Sequence, residues 1–188
     1  LIQSGIVLVI MLILLAIYFL FFKKSENLIK INQAKIDNNI DNKILELKYN
    51  AVDAEGNSYI IESNAGKVSD KEKNVLILEK VKGIIKIQNS EDIIILSDFA
   101  NYNKVTLDTY FYDNVRLSFD GHLIDSNELF MNYIDKNISI KNNVRYKGYN
   151  NKLYADILEI DLVTKFSKIY MLDKQKKVKV ELKQNGSN

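Results

Sequence analysis

The chain has 188 residues, with 26 Lys and Arg against 24 Asp and Glu, a net charge of +2, and neither cysteine nor proline. One domain is the natural reading at this length. The near-neutral balance argues against a nucleic-acid binder, which carries a concentrated basic face, and without cysteine there is neither a disulfide framework nor a thiolate metal site.

Every charge lies after Phe22. From Ile6 to Phe22 the chain is apolar without a break, and at 1.5 Å per residue that is roughly 25 Å of helix. With the residues from Leu1 it spans a bilayer's hydrocarbon. A cleavable signal peptide would have a shorter core and a small-x-small site. Here Tyr18-Phe19-Leu20-Phe21-Phe22 runs straight into Lys23-Lys24, so residues 1–22 are expected to be a retained transmembrane anchor. The positive-inside rule would put Lys23 and Lys24 in the cytoplasm. Basic residues ahead of Leu1 would reverse that count. Residues 23–43, rich in Asn, Lys and Asp, read as a polar linker, with Leu28, Ile31 and Ile36 at a loose helical spacing.

From Ile44 the period becomes two, the signature of strands. Ile44 to Val52 starts the series, and Asp53-Ala54-Glu55-Gly56-Asn57 is a turn whose glycine suits positive φ. Tyr59 to Ser63 follows. Val75 to Leu78 and Ile84 to Ile87 read as a hairpin around Lys82-Gly83. Ile93 to Leu96 reads as a strand buried on both faces. Val105 to Tyr112, Val115 to Asp120, Ile138 to Tyr146, Leu153 to Leu162, Phe166 to Met171 and Val178 to Leu182 complete the chain. Ten or more short strands at this spacing predict an all-β fold, with residues 44–188 as its domain.

A small residue followed by Asn or Asp recurs between apolar runs: Ser63-Asn64, Ser97-Asp98, Ser126-Asn127 and Ala155-Asp156. The spacings are 34, 29 and 29 residues. Such a period suggests stacked hairpin units, each burying its apolar side against the next.

Catalytic chemistry is poorly supplied. His122 is the single histidine, placed beside Gly121 in a hairpin turn, where a solvated side chain is the ordinary reading. No zinc ligand set, G-x-S-x-G elbow or phosphate loop is present. Carboxylate pairs such as Asp53/Glu55 and Glu91/Asp92 fall in turns. An enzyme is not expected, and no cofactor. The eleven Tyr and eight Phe read first as core. Strand phase puts Ile95, Leu107, Phe111, Val115, Phe119, Ile140, Val144, Ile157, Phe166 and Ile169 inside. The final run, Val178-Lys179-Val180-Glu181-Leu182, alternates cleanly among lysines that guard an exposed edge. A partner strand can still dock on such an edge.

Together the anchor, the linker and the degenerate Y-x-I-x-S-x-x-G/D units resemble the LptC family. The likeness is carried by Ala54 to Ser63, Asn74 to Leu78, Ile95-Leu96-Ser97-Asp98 with Ala100, and Tyr146-Lys147-Gly148 followed by Leu153-Tyr154-Ala155-Asp156. The resemblance implies an antiparallel β-jellyroll, an open V-shaped OstA/LptA-like stack, behind one transmembrane α-helix of the inner membrane. It implies an interior that holds the acyl chains of lipopolysaccharide. The partners would be the LptB/LptF/LptG ABC transporter at one edge and periplasmic LptA at the other. Gly148 matches a glycine in the family's turn near the LptA-facing end, beside the edge formed by Val178, Val180 and Leu182. The resemblance also puts Lys23 and Lys24 in the periplasm, against the positive-inside expectation. A membrane-anchored scaffold with a solid core and no lipid, or an adhesion module, would use the same residues differently.

Overall fold

A computed structural model describes residues 35–36 and 43–182 of the chain. The expected anchor, 1–22, and nearly all of the expected linker lie outside the described residues. No described helix is long and apolar enough to cross a membrane.

Every regular element among the described residues is a strand: β1 (Lys35–Ile36), β2 (Ile44–Val52), β3 (Ser58–Val68), β4 (Val75–Lys86), β5 (Ile93–Asn103), β6 (Thr109–Phe119), β7 (His122–Asn132), β8 (Asn137–Lys147), β9 (Asn151–Asp161), β10 (Ser167–Tyr170) and β11 (Lys179–Leu182). They form one antiparallel sheet in sequence order from β1 to β10. β11 is the exception. It pairs with the first half of β9, from Asn151 to Tyr154, while β10 takes the second half, from Ile157 to Ile160.

The strands are longer than the sequence suggests. From β3 to β9 each has 11 or 12 residues, about twice the usual strand length. Each bends near its middle. Register breaks fall at Leu96/Phe99, Tyr112/Val115, Asp125/Glu128 and Lys141/Val144. At the same level Glu46, Lys80, Asp113, Asn114, Asn142 and Asn143 take positive φ. Asp113-Asn114 of β6 and Asn142-Asn143 of β8 are β-bulges against both neighbouring strands, while Glu46 and Lys80 take positive φ in unshifted register. The bulged β6 keeps its inward phase, with Thr109, Phe111, Val115 and Leu117 buried, whereas on β4 the phase changes: the buried set is Leu76 and Leu78, then Val81 and Ile85.

Some apparent strand ends therefore lie inside continuous strands. The expected hairpin at Lys82-Gly83 is absent, and β4 runs straight through it. Gly83 is needed for closeness, because a Cβ there would lie 2.9 Å from Cζ of Phe111. Val115 to Asp120 continues β6 past its bulge. The expected strand from Val105 starts late, since 104–106 form a turn in which Leu107, at φ 63°, donates its N–H to the Asn103 carbonyl at 2.8 Å. Ile93 to Leu96 is buried on one face only, with Leu96 44% exposed.

The repeated small residues stand beside this line of positive-φ residues. Ser63, Ser97, Ser126 and Ala155 are all buried. They pair with the branched residues that follow the positive-φ residues of neighbouring strands: Ser63 with Leu47, Ser97 with Val81, Ser126 with Val115, Ala155 with Val144. A bent strand crowds the inside of its bend, and a small side chain fits there. Ser97 Oγ donates to the Phe99 carbonyl at 2.7 Å, and Ser126 Oγ repeats the bond to Glu128 at 3.2 Å. On the outside, Asp98 accepts from Lys80 Nζ at 2.7 Å and Asn114 Nδ2 at 2.5 Å. Asn142 Nδ2 donates to Glu128 Oε1 at 2.8 Å.

The bends fold the sheet over itself, and turns distant in sequence meet. Lys136, between β7 and β8, pairs with Glu55 and, at 3.2 Å, with Asp53 in the β2–β3 turn. Tyr59 and Tyr133 pack edge to face beside them, with centroids 4.9 Å apart. Burial alone would raise the Asp53 carboxyl, but hydrogen bonds from Asn57 and the Lys136 ammonium outweigh it and hold it below its ordinary value.

Two predictions follow from this packing. Gly83→Val drives a side chain into Phe111 and should cost about 1–3 kcal/mol of stability, read by urea denaturation. Protonating Asp53 dissolves its ion pair. Because its pKa is lower folded than unfolded, this stabilisation is complete above the ordinary carboxylate pKa near 4 and drains away as pH falls. Asp53→Asn should start about 1–3 kcal/mol less stable near neutrality and lose less than the native chain on acidification, measured by the same denaturation in acidic buffers.

Candidate functional site

The interior is closed at one end and open at the other. In the closed part Leu78, Ile95, Phe111, Leu129 and Ile140 have no exposed surface. At the open end lies an apolar cavity of ≈ 390 Å³. It forms where the last residues of β4, β6 and β8 and the first of β5, β7 and β9 turn their inward side chains on a common space. Ile87, Ile93, Leu117, Phe119, Ile124, Tyr146 and Leu153 come from these ends. Leu158, Ile160 and Ile169 come from beyond the bend of β9 and from β10. Phe119, Tyr146, Ile160 and Ile169 are only half-buried against the core, which leaves the space between them accessible.

Polar groups also border it: Ser90, His122, Asp161, Lys165 and Ser167. His122 opens β7 directly after the Asp120-Gly121 turn. Its Nδ1 lies 2.8 Å from the Tyr146 hydroxyl, and the two rings stack at 5.7 Å. Tyr149 meets His122 edge-on at 5.4 Å, and its hydroxyl donates to the Asp120 carbonyl at 3.1 Å. Burial raises the Tyr146 phenol. Asp161 accepts the N–H groups of Val163 and Thr164, both at 2.8 Å, and these bonds hold its carboxyl below its ordinary value. His122 is thus part of an aromatic wall, not the freely solvated turn residue that its neighbour Gly121 suggested.

The residues expected inside separate into three groups. Ile95, Leu107, Phe111, Val115, Ile140, Val144 and Ile157 are buried and do not line the cavity. Phe119 and Ile169 line it. Phe166 is a correction: it is 67% exposed. It lies in the turn before β10, where its carbonyl accepts the Asp161 N–H at 2.9 Å, and the alternation of β9 does not carry through that turn. The remaining lining residues were missed because alternation marks them as inward but does not say which inward residues lack a facing partner.

Of the expected edge, Val178 is half-buried against the core. Val180 and Leu182 are exposed on β11, opposite Leu153 and Asn151 of β9. Gly148, in the β8–β9 turn, donates its N–H to the Asn151 carbonyl at 2.9 Å. A Cβ there would stand 2.6 Å from the Tyr146 hydroxyl, so this glycine permits the position of the Tyr146 ring in the cavity wall. Among the described residues, no group of three or more His, Asp and Glu is placed to hold a metal ion.

A family model described as lipopolysaccharide-assembly, LptC-related matches residues 8–170. No curated protein matches the chain. Among solved structures it is similar to LptH of Pseudomonas aeruginosa, described as the LptA homologous periplasmic component of the conserved lipopolysaccharide transport device. That match has 6% identity and a TM-score of 0.49, over 66% of this chain and 94% of the other.

Gly148→Val should push Tyr146 off His122. The ring-nitrogen NMR signals of His122 are expected to move as they do in Tyr146→Phe, with the melting temperature lowered by only a few degrees.

Proposed function

The chain belongs to the lipopolysaccharide-assembly, LptC-related family, and from that membership we propose that its β domain receives acyl chains of lipopolysaccharide in the cavity between β4–β8 and β9–β10 and passes them on. Lipopolysaccharide transport is the work of the family. The observation that supports this route is the cavity: apolar, open at one end of the sheet, and bordered by polar groups at His122 and Lys165. Each methylene moved there from water contributes about 0.8 kcal/mol, so binding needs neither a cofactor nor a reaction.

In this reading residues 1–22 anchor the chain in the inner membrane and the β domain works in the periplasm as an open, V-shaped jellyroll. The LptB/LptF/LptG transporter delivers lipid and supplies the energy. LptA receives it at the β9–β11 end, where Gly148, Val178, Val180 and Leu182 lie. The cavity borders the same end through Tyr146 and Leu153, so the path from pocket to partner is short.

A scaffold that binds only proteins is the second reading. The observation favouring it is Phe111, fully buried and fitted against Gly83. It makes that part of the interior a solid core. Phe111→Glu should therefore unfold the domain rather than spare it.

Photo-crosslinkers at Phe119 and at Tyr112 test the lipid reading in cells. Tyr112 stacks on Phe99 at 5.6 Å, across β6 from the inward Phe111. A lipopolysaccharide adduct at Phe119 but not at Tyr112 is expected. Adducts at neither position, from a chain that reaches the membrane and is folded, would favour the scaffold.

A further inference from the structure

We infer that the cavity admits one acyl chain of about a dozen carbons at a time and leaves the other chains of a lipid outside it. This inference rests on the lipid-binding reading above and specifies what that site accepts.

The first ground is volume. The cavity measures ≈ 390 Å³. A methylene fills about the space of one water molecule in the liquid, ~30 Å³, so on the order of a dozen methylenes fit. Two chains of that length do not.

The second ground is how the cavity ends. Along β6 the inward residues beyond Leu117 are Val115 and Phe111, 2% and 0% exposed. Along β7 the inward residues beyond Ile124 are Ser126 and Leu129, both buried. The Phe111 ring occupies the notch left by Gly83. Packed cores at this density do not yield smoothly to an inserted chain. On β6 and β7 the apolar space therefore stops at the bend instead of running the length of the sheet, while on β9 it reaches past the bend to Leu158 and Ile160.

The third ground is where the polar groups stand. Ser90, His122, Asp161, Lys165 and Ser167 border a space otherwise walled by aliphatic and aromatic side chains. A chain can bury its tail there while its polar end stays in water.

The test is a chain-length series on the full chain held in amphipol. Alkyl phosphates from about 8 to about 18 carbons, each below its micellar concentration, compete with a fluorescent fatty acid. Affinity is expected to rise about fourfold per added methylene, then level off near 13 carbons at one amphiphile per protein. Leu158→Trp should move the plateau about two carbons shorter. Ile169→Trp, at a half-buried position, gives the same reading if the first variant folds poorly. A rise that continues through the longest chain, or saturation by two amphiphiles, overturns the inference and leaves the lipid reading standing. No competition at any length overturns both.

Discussion

The bend shared by the long strands is the constraint on which the rest depends. An antiparallel sheet of eleven-residue strands would otherwise be a twisted ribbon with both faces wet. Such a sheet cannot bury enough apolar surface by itself. Here positive-φ residues line up from Glu46 and Lys80 to Asn142 and Asn143, as bulges on β6 and β8 and as a change of inward phase on β4. Residues on both sides of the bend then face one another across a common interior. The residue types suit the task. Asn and Asp tolerate positive φ better than most residues, and four of the six positive-φ positions on this line carry them. Ser or Ala at the matching level of the neighbouring strand leaves room on the inner side.

Closure is uneven, and the proposed function rests on that unevenness. Near the β2–β3 turn the ion pairs of Lys136 with Asp53 and Glu55 and the Tyr59–Tyr133 contact tie distant turns together. Beneath them the interior packs solid around Phe111. Exposed ion pairs contribute little to stability, but Asp53 is shielded, its side chain only 7% exposed. Near the β8–β9 turn no such ion pair joins the bent parts among the described residues. Leu158, Ile160 and Ile169 face Leu117, Phe119 and Ile124 across a gap. The same bend thus yields a core at one end and a receptacle at the other.

Much of this was legible in the residues. β2 spans Ile44 to Val52 as its alternation indicates, and Gly56 and Gly121 take positive φ in hairpin turns. The Ser-Asn/Asp repeat marked the bends before their meaning was known. What misled was this line of positive-φ residues. On β4 a change of inward phase, and on β6 the two exposed residues Asp113 and Asn114, look like strand ends, so each read as two strands. Phe166 failed for the opposite reason, since alternation was carried across a true turn. The cavity was illegible because alternation reports which side chains point inward, while a void depends on which of them meet. His122 is the clearest case: Tyr146 lies 24 residues away, and no local pattern joins them.

The geometry also bears on release. A dozen buried methylenes represent roughly 10 kcal/mol of gross transfer energy, reduced by the cost of fixing a flexible chain. A deep, fully enclosed groove for several chains would hold a lipid too tightly for a protein without its own energy source to let go. Under the single-chain proposal, a pocket half-open at Phe119 and Tyr146 would avoid that trap. It also borders Leu153, whose backbone is paired to Val180 of β11, so a neighbour docking there would meet the cavity wall directly. If the domain passes lipid on as proposed, shallow holding beside an accessible edge would let a driving force supplied by a partner complete the transfer.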